Sequence, residues 1–387
     1  MKAVILAAGE GTRLRPLTLA RPKPMLPVAN QPLLEHVVDA VREAGINEVV
    51  FVVGYERERI QSYFGDGDDW GIDIEYAVQE KQLGTGHALL QAEPYVDGEF
   101  VALNGDRILD PSAVSKVVDA HRDRSHSVMA VTRVEEPTNY GVVEFDGRQV
   151  TSIEEKPPTH AVSADTINAG VYALEESIFD DLRSSETDGE LAITTTLREY
   201  AARGDLTAVR FDGLWLDVSY LWDLVTVNAQ VIDQFGAPRG DSASAHDEST
   251  VADAVALGGD VRVRPSAVVL PGTALGDNVE IGANATVSNA VVLPDATIKD
   301  GAVVKDCIVG ANASVGPNTT IEGGNADVVV DGEVHEDVRL GGVLGDNTSL
   351  GGAVAVAPGS VLGNEADVES GAVVDGYVED GAVVRRG

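Results

Sequence analysis

The spacing of apolar residues divides the chain into two parts with different periods. Over residues 1 to about 230, short apolar runs of strand length alternate with longer segments of helical periodicity. This alternation predicts a mostly parallel sheet with helices on both faces, and ligands of such sheets bind beyond the carboxyl ends of the strands. Strands are predicted at 4–8, 48–53, 73–78 and 100–103, and helices at 33–44, 86–92 and 112–122.

After about residue 255, single aliphatic residues recur every six positions, with Gly, Ala, Asn and Asp between them. A period of six predicts flat, three-sided coils of about eighteen residues with the recurring aliphatic side chain pointing inward. The pattern resembles the left-handed parallel β-helix of the hexapeptide acyltransferases. Residues 323–340 break the period, so we expect them to project as a loop. The recurring positions are Val263, Val269, Leu275, Ile281, Val287, Val292, Ile298, Val304, Val309, Val315, Ile321, Leu344, Leu350, Val356, Leu362, Val368 and Val374.

A small, polar stretch separates the two patterns. Residues 234–250 have neither period and are rich in Ser, Ala, Asp and Gly, which is typical of a linker. We therefore expect an α/β domain over residues 1–232, a linker over 233–254 and an all-β helix of hexapeptide repeats over 255–387.

Charge narrows the possible partners. The formal net charge is −35, with seven lysines against 63 acidic residues. Such an excess argues against nucleic acid and anionic membranes as partners, and it is typical of adaptation to high salt. The single cysteine, Cys307, excludes an intrachain disulfide and is expected to be a small buried hydrophobe. No apolar run has the length of a membrane span, so we expect a cytoplasmic protein.

The candidate chemistry begins where the first predicted strand ends. There the chain enters a turn that contains Gly9 and Gly11, and several cationic residues follow, which suits a polyphosphate. A dinucleotide fingerprint would need glycine where Leu14 stands. A P-loop would need a lysine directly after its second glycine, and Gly11 is followed by Thr12.

The whole segment is more specific than its glycines. It reads Leu-Ala-Ala-Gly-x-Gly-Thr-Arg-Leu-x-Pro-Leu-Thr, followed by Pro-Lys-Pro-Met-Leu-Pro, and it resembles the signature of the sugar-1-phosphate nucleotidylyltransferases. Glucose-1-phosphate thymidylyltransferases and glucosamine-1-phosphate uridylyltransferases are members of this family. The resemblance covers residues 1 to about 230, with at least six motifs in order. It implies a Rossmann-like nucleotidyltransferase domain that joins a glucose- or N-acetylglucosamine-type hexose 1-phosphate to UTP or dTTP and releases pyrophosphate.

The resemblance also implies the roles of individual residues. Two catalytic cations, Arg13 and Lys23, would neutralise the triphosphate, because this reaction brings two anions together. Gln79 with the Gly84-Thr85 backbone would recognise a pyrimidine, whereas His87 is expected to support neighbouring groups. The implied nucleotide-binding residues are Leu6, Ala8, Gly9, Gly11, Thr12, Gln79, Gly84 and Thr85.

Two carboxylates match the family's metal ligands. They are Asp106, in Asn-Gly-Asp, and Asp217, in Trp-Leu-Asp-Val, and the implied cofactor is Mg²⁺. On the sugar side a carboxylate beside a lysine suits a hexose phosphate, and we favour Glu155 over Glu154 as the sugar ligand. The implied sugar-phosphate-binding residues are Asn104, Gly141, Glu154, Glu155, Lys156 and Asn168.

Two alternatives remain open at this point. The resemblance extends to two-domain relatives whose β-helix acetylates glucosamine 1-phosphate with acetyl-CoA, using a histidine base on a coil. The repeats here contain His335 alone, in the irregular acidic segment, and it does not match that position. The other alternative is a non-catalytic regulator that binds nucleotide-sugars. The repeats are also expected to assemble the chain into a homo-oligomer, a trimer or a multiple of one.

Overall fold

Residues 1–124, 126–158, 160, 162, 164–185 and 189–386 are described by a computed structural model. The chain folds into two units. The first contains Met1–Glu10, Pro22–Met25 and Leu33–Asp217, and the second contains Gly11–Arg21, Leu26–Pro32 and the chain from Val218 onward. The loop that follows the first strand thus belongs, by its contacts, with the C-terminal repeats.

A nine-stranded mixed sheet forms the centre of the first unit. The strands up to residue 217 are β1 (Lys2–Ala7), β2 (Pro27–Val28), β3 (Gln31–Pro32), β4 (Glu48–Val53), β5 (Asp73–Val78), β6 (Phe100–Asn104), β7 (Arg107–Leu109), β8 (Ser127–Arg133), β9 (Gly141–Asp146), β10 (Gln149–Glu155), β11 (Thr166–Leu174), β12 (Leu206–Arg210) and β13 (Trp215–Asp217). The order in the sheet is β5-β4-β1-β6-β11-β8-β12-β10-β9. Strands β5, β4, β1 and β6 are parallel, and β11 joins β6 antiparallel. The predicted strands at 48–53 and 73–78 are confirmed to the residue.

Alternation along the strands supplies both faces of this sheet with core residues. On β1, Ala3, Ile5 and Ala7 belong to one buried cluster, and Val4 belongs to the other. Successive side chains of a strand point to opposite faces, so two cores with separate helices result. The helices are α1 (Leu33–Glu43), α2 (Arg57–Phe64), α3 (Thr85–Leu90), α4 (Ser112–Arg124), α5 (Ile178–Ser184), α6 (Ile193–Arg203) and, in the second unit, α7 (Leu221–Phe235).

Apart from one antiparallel hairpin, the strands after residue 243 are short, parallel and offset by about one coil. Their bounds are β14 (Ser244–Ala245), β15 (Thr250–Val251), β16 (Val255–Leu257), β17 (Arg262–Val263), β18 (Val268–Val269), β19 (Thr273–Leu275), β20 (Glu280–Ile281), β21 (Thr286–Val292), β22 (Thr297–Ile298), β23 (Val303–Val309), β24 (Ser314–Val315), β25 (Thr320–Ile321), β26 (Asn325–Val330), β27 (Glu333–Arg339), β28 (Gly342–Leu344), β29 (Ser349–Leu350), β30 (Ala355–Val356), β31 (Ser360–Leu362), β32 (Asp367–Val368), β33 (Val373–Val374), β34 (Tyr377–Val378) and β35 (Val383–Val384). This is a parallel β-helix, consistent with the left-handed type that the period predicted.

The predicted inward positions are confirmed. Every recurring aliphatic residue named above lies buried in one continuous core, together with Cys307. The register follows the sequence period: Val263 pairs with Ile281, while Leu275 pairs with Val292 where the repeat is one residue shorter. Because the chain is in register from coil to coil, the aliphatic side chains stack on one another inside.

The structure departs from the sequence-based expectation in two segments. Residues 325–339 form an antiparallel hairpin of β26 and β27 rather than an irregular loop. Strands β14 and β15 lie within the segment expected to be a linker and pair with the first repeats. In addition, α7 groups with the repeats, although the predicted boundary at residue 232 placed most of it in the first domain. The domain limits expected from the sequence, at residues 232 and 254, stay a prediction.

Among the described residues, no helix is both long and apolar enough to cross a membrane.

Candidate active site

The carboxyl ends of β5, β4, β1 and β6 meet at one edge of the sheet, because these strands are parallel. Two hydrogen bonds connect the segments that leave this edge. The amide of Gly105 donates to the carbonyl of Leu6 (2.9 Å), and the side chain of Gln82 donates to the carbonyl of Ala8 (2.8 Å). The segments that follow β1, β5 and β6 therefore lie together at this edge.

Four charged side chains form a compact cluster at this edge. The Nζ atom of Lys23 lies 2.6 Å from Oδ2 of Asp106 and 3.7 Å from Oδ1 of Asp217. Nη1 of Arg107 lies 2.5 Å from the same Oδ1 of Asp217. The antiparallel pairing of β7 with β13 sets Arg107 directly opposite Asp217, which brings together residues far apart in the chain. The cluster thus holds two cations and two carboxylates.

Electrostatics favour the charged forms of Asp106 and Arg107. Burial would raise the pKa of Asp106, but the neighbouring charges of Lys23 and Arg107 outweigh it and lower that pKa to about 2. Burial opposes the charge of Arg107, and the two carboxylates more than compensate, so its pKa is raised. Asp106 and Arg107 are therefore both charged at neutral pH, and the Asp217 side chain beside them is only 2% exposed.

Arg107 is a residue that the sequence analysis missed. Its guanidinium lies 4.9 Å from the ring centre of Trp215 and 5.6 Å from that of Tyr140, within the range of cation–π attraction. The available signal was its position directly after Asp106 in a chain with few cations. A surface arginine was the simpler interpretation, and only the pairing of β7 with β13 shows that it faces a carboxylate.

The segment expected to recognise the base is ordered around Gln79. This side chain is buried, and its Nε2 lies 3.2 Å from the carbonyl of Gly84 and 2.9 Å from Nδ1 of His87. Both neighbours lie on the amide nitrogen, which leaves Oε1 as the hydrogen-bond acceptor of this side chain. Thr85 accepts a hydrogen bond at Oγ1 from the amide of Ile193 and so anchors the start of α3. His87 thus contacts Gln79, and its supporting role stays a prediction.

The residues expected on the sugar side lie along β9, β10 and β11. A Cβ atom added to Gly141 would come 2.9 Å from Oε2 of Glu155, so the glycine makes room for this carboxylate. Asn168 donates to the hydroxyl of Tyr172 (2.7 Å) and accepts from the amide of Gly170 (3.0 Å).

The two glutamates at the end of β10 lie opposite different residues of β9. Strand β10 pairs with β9 and brings Glu155 opposite Gly141, whereas Glu154 lies opposite Val142. Lys156, the next residue, has a left-handed backbone (φ 44°), which ends the strand. Asn104 lies at the end of β6, and its amide would be 2.6 Å from a Cβ added to Gly170.

The Gly-rich turn belongs to the second unit from Gly11 onward. Gly11 has φ 69°, a conformation that strains other residues, and its carbonyl accepts a hydrogen bond from Thr18 (2.8 Å). The short 3-10 helix Thr12–Leu14 follows and presents Arg13, which is partly exposed. At Gly9, by contrast, an added Cβ would meet no atom within 4 Å. The backbone thus favours glycine at position 11, while position 9 leaves open space.

Comparisons with known proteins agree with this arrangement. Residues 2–234 match the family model described as Nucleotidyl transferase, and residues 251–379 match the one described as GMPPB C-terminal domain. The bifunctional protein GlmU of Methanococcus maripaludis strain C5 is 32% identical over 99% of this chain and 97% of that protein. With the GlmU of strain C7 the alignment is 37% identical but takes in 60% of this chain and 55% of that protein.

Other relatives share mainly the first part of the chain. The glucose-1-phosphate thymidylyltransferase of Streptomyces antibioticus is 34% identical over 70% of this chain and 77% of that protein. A Bacillus anthracis structure described as a glucose-1-phosphate thymidylyltransferase in complex with a sucrose has 29% identity and a TM-score of 0.56, covering 60% of this chain and 96% of its own. A UDP-glucose pyrophosphorylase complexed with UDP-glucose has 25% identity and a TM-score of 0.55, over 60% of this chain and 98% of its own.

The chain is a member of the nucleotidyl transferase family. Within this family it is a sugar-1-phosphate nucleotidylyltransferase, an enzyme with a Rossmann-like catalytic domain followed by a β-helix.

Proposed function

We propose that the enzyme transfers a nucleotidyl group from UTP or dTTP to a hexose 1-phosphate of the glucose or N-acetylglucosamine type, in a Mg²⁺-dependent reaction. The observation that carries this proposal is the contact of Lys23 with both Asp106 and Asp217 at the carboxyl edge of the sheet. A lysine between two carboxylates marks a place where phosphate oxygens and a divalent cation meet.

The two carboxylates are the proposed metal ligands. Mg²⁺ takes one or two carboxylates and completes its shell with phosphate oxygens and water, and Asp106 and Asp217 supply that number of ligands. The part of the chain that the structure describes contains no larger group of three or more His, Cys, Asp or Glu side chains suited to a metal. When bound, the metal would neutralise charge on the triphosphate.

In the proposed reaction an oxygen of the sugar phosphate attacks the α-phosphorus, and pyrophosphate leaves. Lys23 would be released from Asp106 to the phosphates and would balance the charge that increases in the transition state. Arg13, from the turn after β1, has the same proposed task through its guanidinium. Neither residue transfers a proton in this scheme, so alignment and charge neutralisation supply the catalysis.

The arrangement around Gln79 supports a pyrimidine with an N–H at position 3. Its Oε1 is an acceptor, and uracil and thymine present a donor there, whereas cytosine presents an acceptor. On the sugar side, Glu155 would accept hydrogen bonds from hydroxyl groups, and Lys156 would bind the phosphate. UTP and dTTP differ at the 5-methyl group of the base and at the 2′-hydroxyl of the ribose, and the assay below distinguishes them.

Pyrophosphate release should be measured with UTP, dTTP, CTP and GTP, each against glucose 1-phosphate and N-acetylglucosamine 1-phosphate, in molar KCl. We expect turnover with UTP or dTTP and much less with CTP. Asp106→Asn and Asp217→Asn should abolish turnover and also weaken Mn²⁺ binding followed by electron paramagnetic resonance. Unchanged Mn²⁺ binding in both variants would refute the metal assignment, and a preference for CTP would refute the role of Gln79.

A second activity is favoured by one observation, the full-length similarity to a protein named bifunctional GlmU. Acetylation of glucosamine 1-phosphate by acetyl-CoA needs a base close to the amine. His335 lies on β27 of the hairpin, with its ring 4.6 Å from that of Tyr220, and not on a coil of the β-helix. Thiol release from acetyl-CoA tests this alternative, and its loss in His335→Ala would assign the base.

A cytoplasmic location and a homo-oligomer, a trimer or a multiple of it, complete the proposal. Exposed apolar residues on the last coils, Val373, Tyr377 and Val383, support association. Light scattering coupled to size-exclusion chromatography would measure the mass, and a monomer at micromolar concentration would contradict the expected assembly.

A further inference from the structure

The hairpin that interrupts the repeats has a well-defined tip. Val330 pairs with Glu333 across two turn residues, Asp331 and Gly332. Both turn residues have positive φ angles, 53° and 83°, as a type I′ turn requires, and Asp-Gly is a preferred pair for that turn. The Asp331 carboxylate is therefore presented from a defined backbone position.

This carboxylate contacts the Gly-rich turn of the same unit. Oδ2 of Asp331 lies 3.3 Å from Nε of Arg13, a separation of 318 residues in the chain. The guanidinium of Arg13 also lies 5.7 Å from the ring centre of Tyr220. Arg13 is thus held between an acidic side chain of the hairpin and an aromatic ring at the start of α7.

A second contact attaches the hairpin to the same ring. The rings of Tyr220 and Trp222 stack at 4.6 Å with an interplanar angle of 9°. The His335 ring lies 4.6 Å from Tyr220 and 5.1 Å from Trp222. Tyr220 is itself fixed as the N-cap of α7, where its backbone amide donates to the Asp223 carboxylate (2.7 Å). The hairpin therefore docks at two points, through Asp331 and through His335.

The ion pair between Arg13 and Asp331 is too exposed to contribute much to the stability of the fold. Both side chains are about half exposed, and pairs of this kind contribute roughly 0–1 kcal/mol. Such a pair exchanges readily, however, when a more highly charged anion competes for the guanidinium. A triphosphate is that kind of anion.

We propose that the hairpin 325–339 is a regulatory arm. Its Asp331 carboxylate pairs with the guanidinium of Arg13 until the phosphates of a bound nucleotide displace it. His335 holds the arm in place through its contacts with Tyr220 and Trp222. Asp331 and His335 are positioning residues that act through Arg13. The inference rests on the proposed role of Arg13 in triphosphate binding. In this proposal the β-helix domain influences nucleotidyl transfer, because the arm raises the KM of the enzyme for the triphosphate.

Asp331→Asn is the direct test, because Asn-Gly also favours the type I′ turn and preserves the hairpin. We expect KM for the triphosphate to fall by about two- to fivefold, with kcat and KM for the sugar phosphate unchanged. The effect should shrink at 1 M KCl, where charges are screened within ~3 Å. His335→Ala, which loosens the arm without changing its tip, should lower the same KM.

Glu336→Gln is the matched control, since it removes one negative charge from an exposed position on β27 of the same hairpin. This control should leave kcat, KM for the triphosphate and KM for the sugar phosphate unchanged. The fall in KM for the triphosphate that Asp331→Asn causes should disappear when Arg13→Ala is also present. If Arg13→Ala weakens triphosphate binding but Asp331→Asn leaves KM unchanged or raises it, the regulatory role of the arm is refuted, while the role of Arg13 stands. If Arg13→Ala has no effect on KM or kcat, the role of Arg13 fails, and the arm fails with it.

Discussion

Arg107 and Asp217 form an ion pair in which Nη1 and Oδ1 are 2.5 Å apart and the carboxylate is almost completely buried. The pair exists because β7 and β13 run antiparallel with these two residues in register. It places a permanent cation beside a carboxylate that we propose as a metal ligand. The site is consequently charge-balanced before any substrate binds.

This pair should be energetically coupled. Arg107→Met leaves a buried carboxylate with less compensation, and loss of one partner of a buried pair costs about 3–5 kcal/mol. In a double-mutant cycle with Asp217→Asn, measured by urea unfolding without metal or nucleotide, we expect a coupling energy of at least ~1 kcal/mol. Arg210→Met, which breaks the exposed pair with Asp212, should change stability by less than about 0.5 kcal/mol. Strictly additive effects at Arg107 and Asp217 would contradict the cluster.

Lys23→Ala should lower kcat by about 10²–10³, the usual effect of losing one preorganised electrostatic group. Its Nζ contacts Asp106 directly, and the side chain is largely buried. Lys2→Ala is the control, because Lys2 pairs with Glu75 at the opposite end of β1. Steady-state pyrophosphate release measures both variants. Turnover close to the wild type in Lys23→Ala would remove this lysine from the mechanism.

Asn228 should contribute to the unfolding free energy of the protein. It is fully buried on α7, accepts from the amide of Ala29 (2.8 Å) and donates to the carbonyl of Gly272 (2.9 Å). Asn228→Ala leaves both backbone groups without this partner, so we expect a loss of about 1–3 kcal/mol of unfolding free energy. Gln230→Ala, at an exposed position of the same helix, should be nearly neutral. Equal urea midpoints for the two variants would show that the bridge contributes nothing.

Stability should increase with salt. A formal charge of −35 repels itself, and screening shortens the range of that repulsion to ~3 Å at 1 M. The unfolding free energy from urea titrations should therefore rise steadily from dilute buffer to molar KCl. Urea is the suitable denaturant because it is uncharged. A flat or falling dependence would mean that local ion pairs already balance the acidic surface.

The sequence by itself determined those features that depend on local period and composition. The six-residue recurrence from Val263 to Val374 identified the inward face of the β-helix, because each coil repeats the same geometry. Short runs rich in apolar residues located β4 and β5 to the residue. The motif order placed Gln79 and Asp106 at one sheet edge, since parallel strands share their carboxyl ends.

The tertiary structure alone decided which distant residues meet. Asp217 reaches Lys23 and Arg107 through the pairing of β13 with β7, and no local period records that pairing. The segment 323–340 appeared irregular because a hairpin lacks the hexapeptide period, although its Asp-Gly turn was visible. The contact of Asp331 with Arg13 spans nearly the whole chain. Long-range contacts of this kind result from packing and strand register, which a linear pattern does not contain.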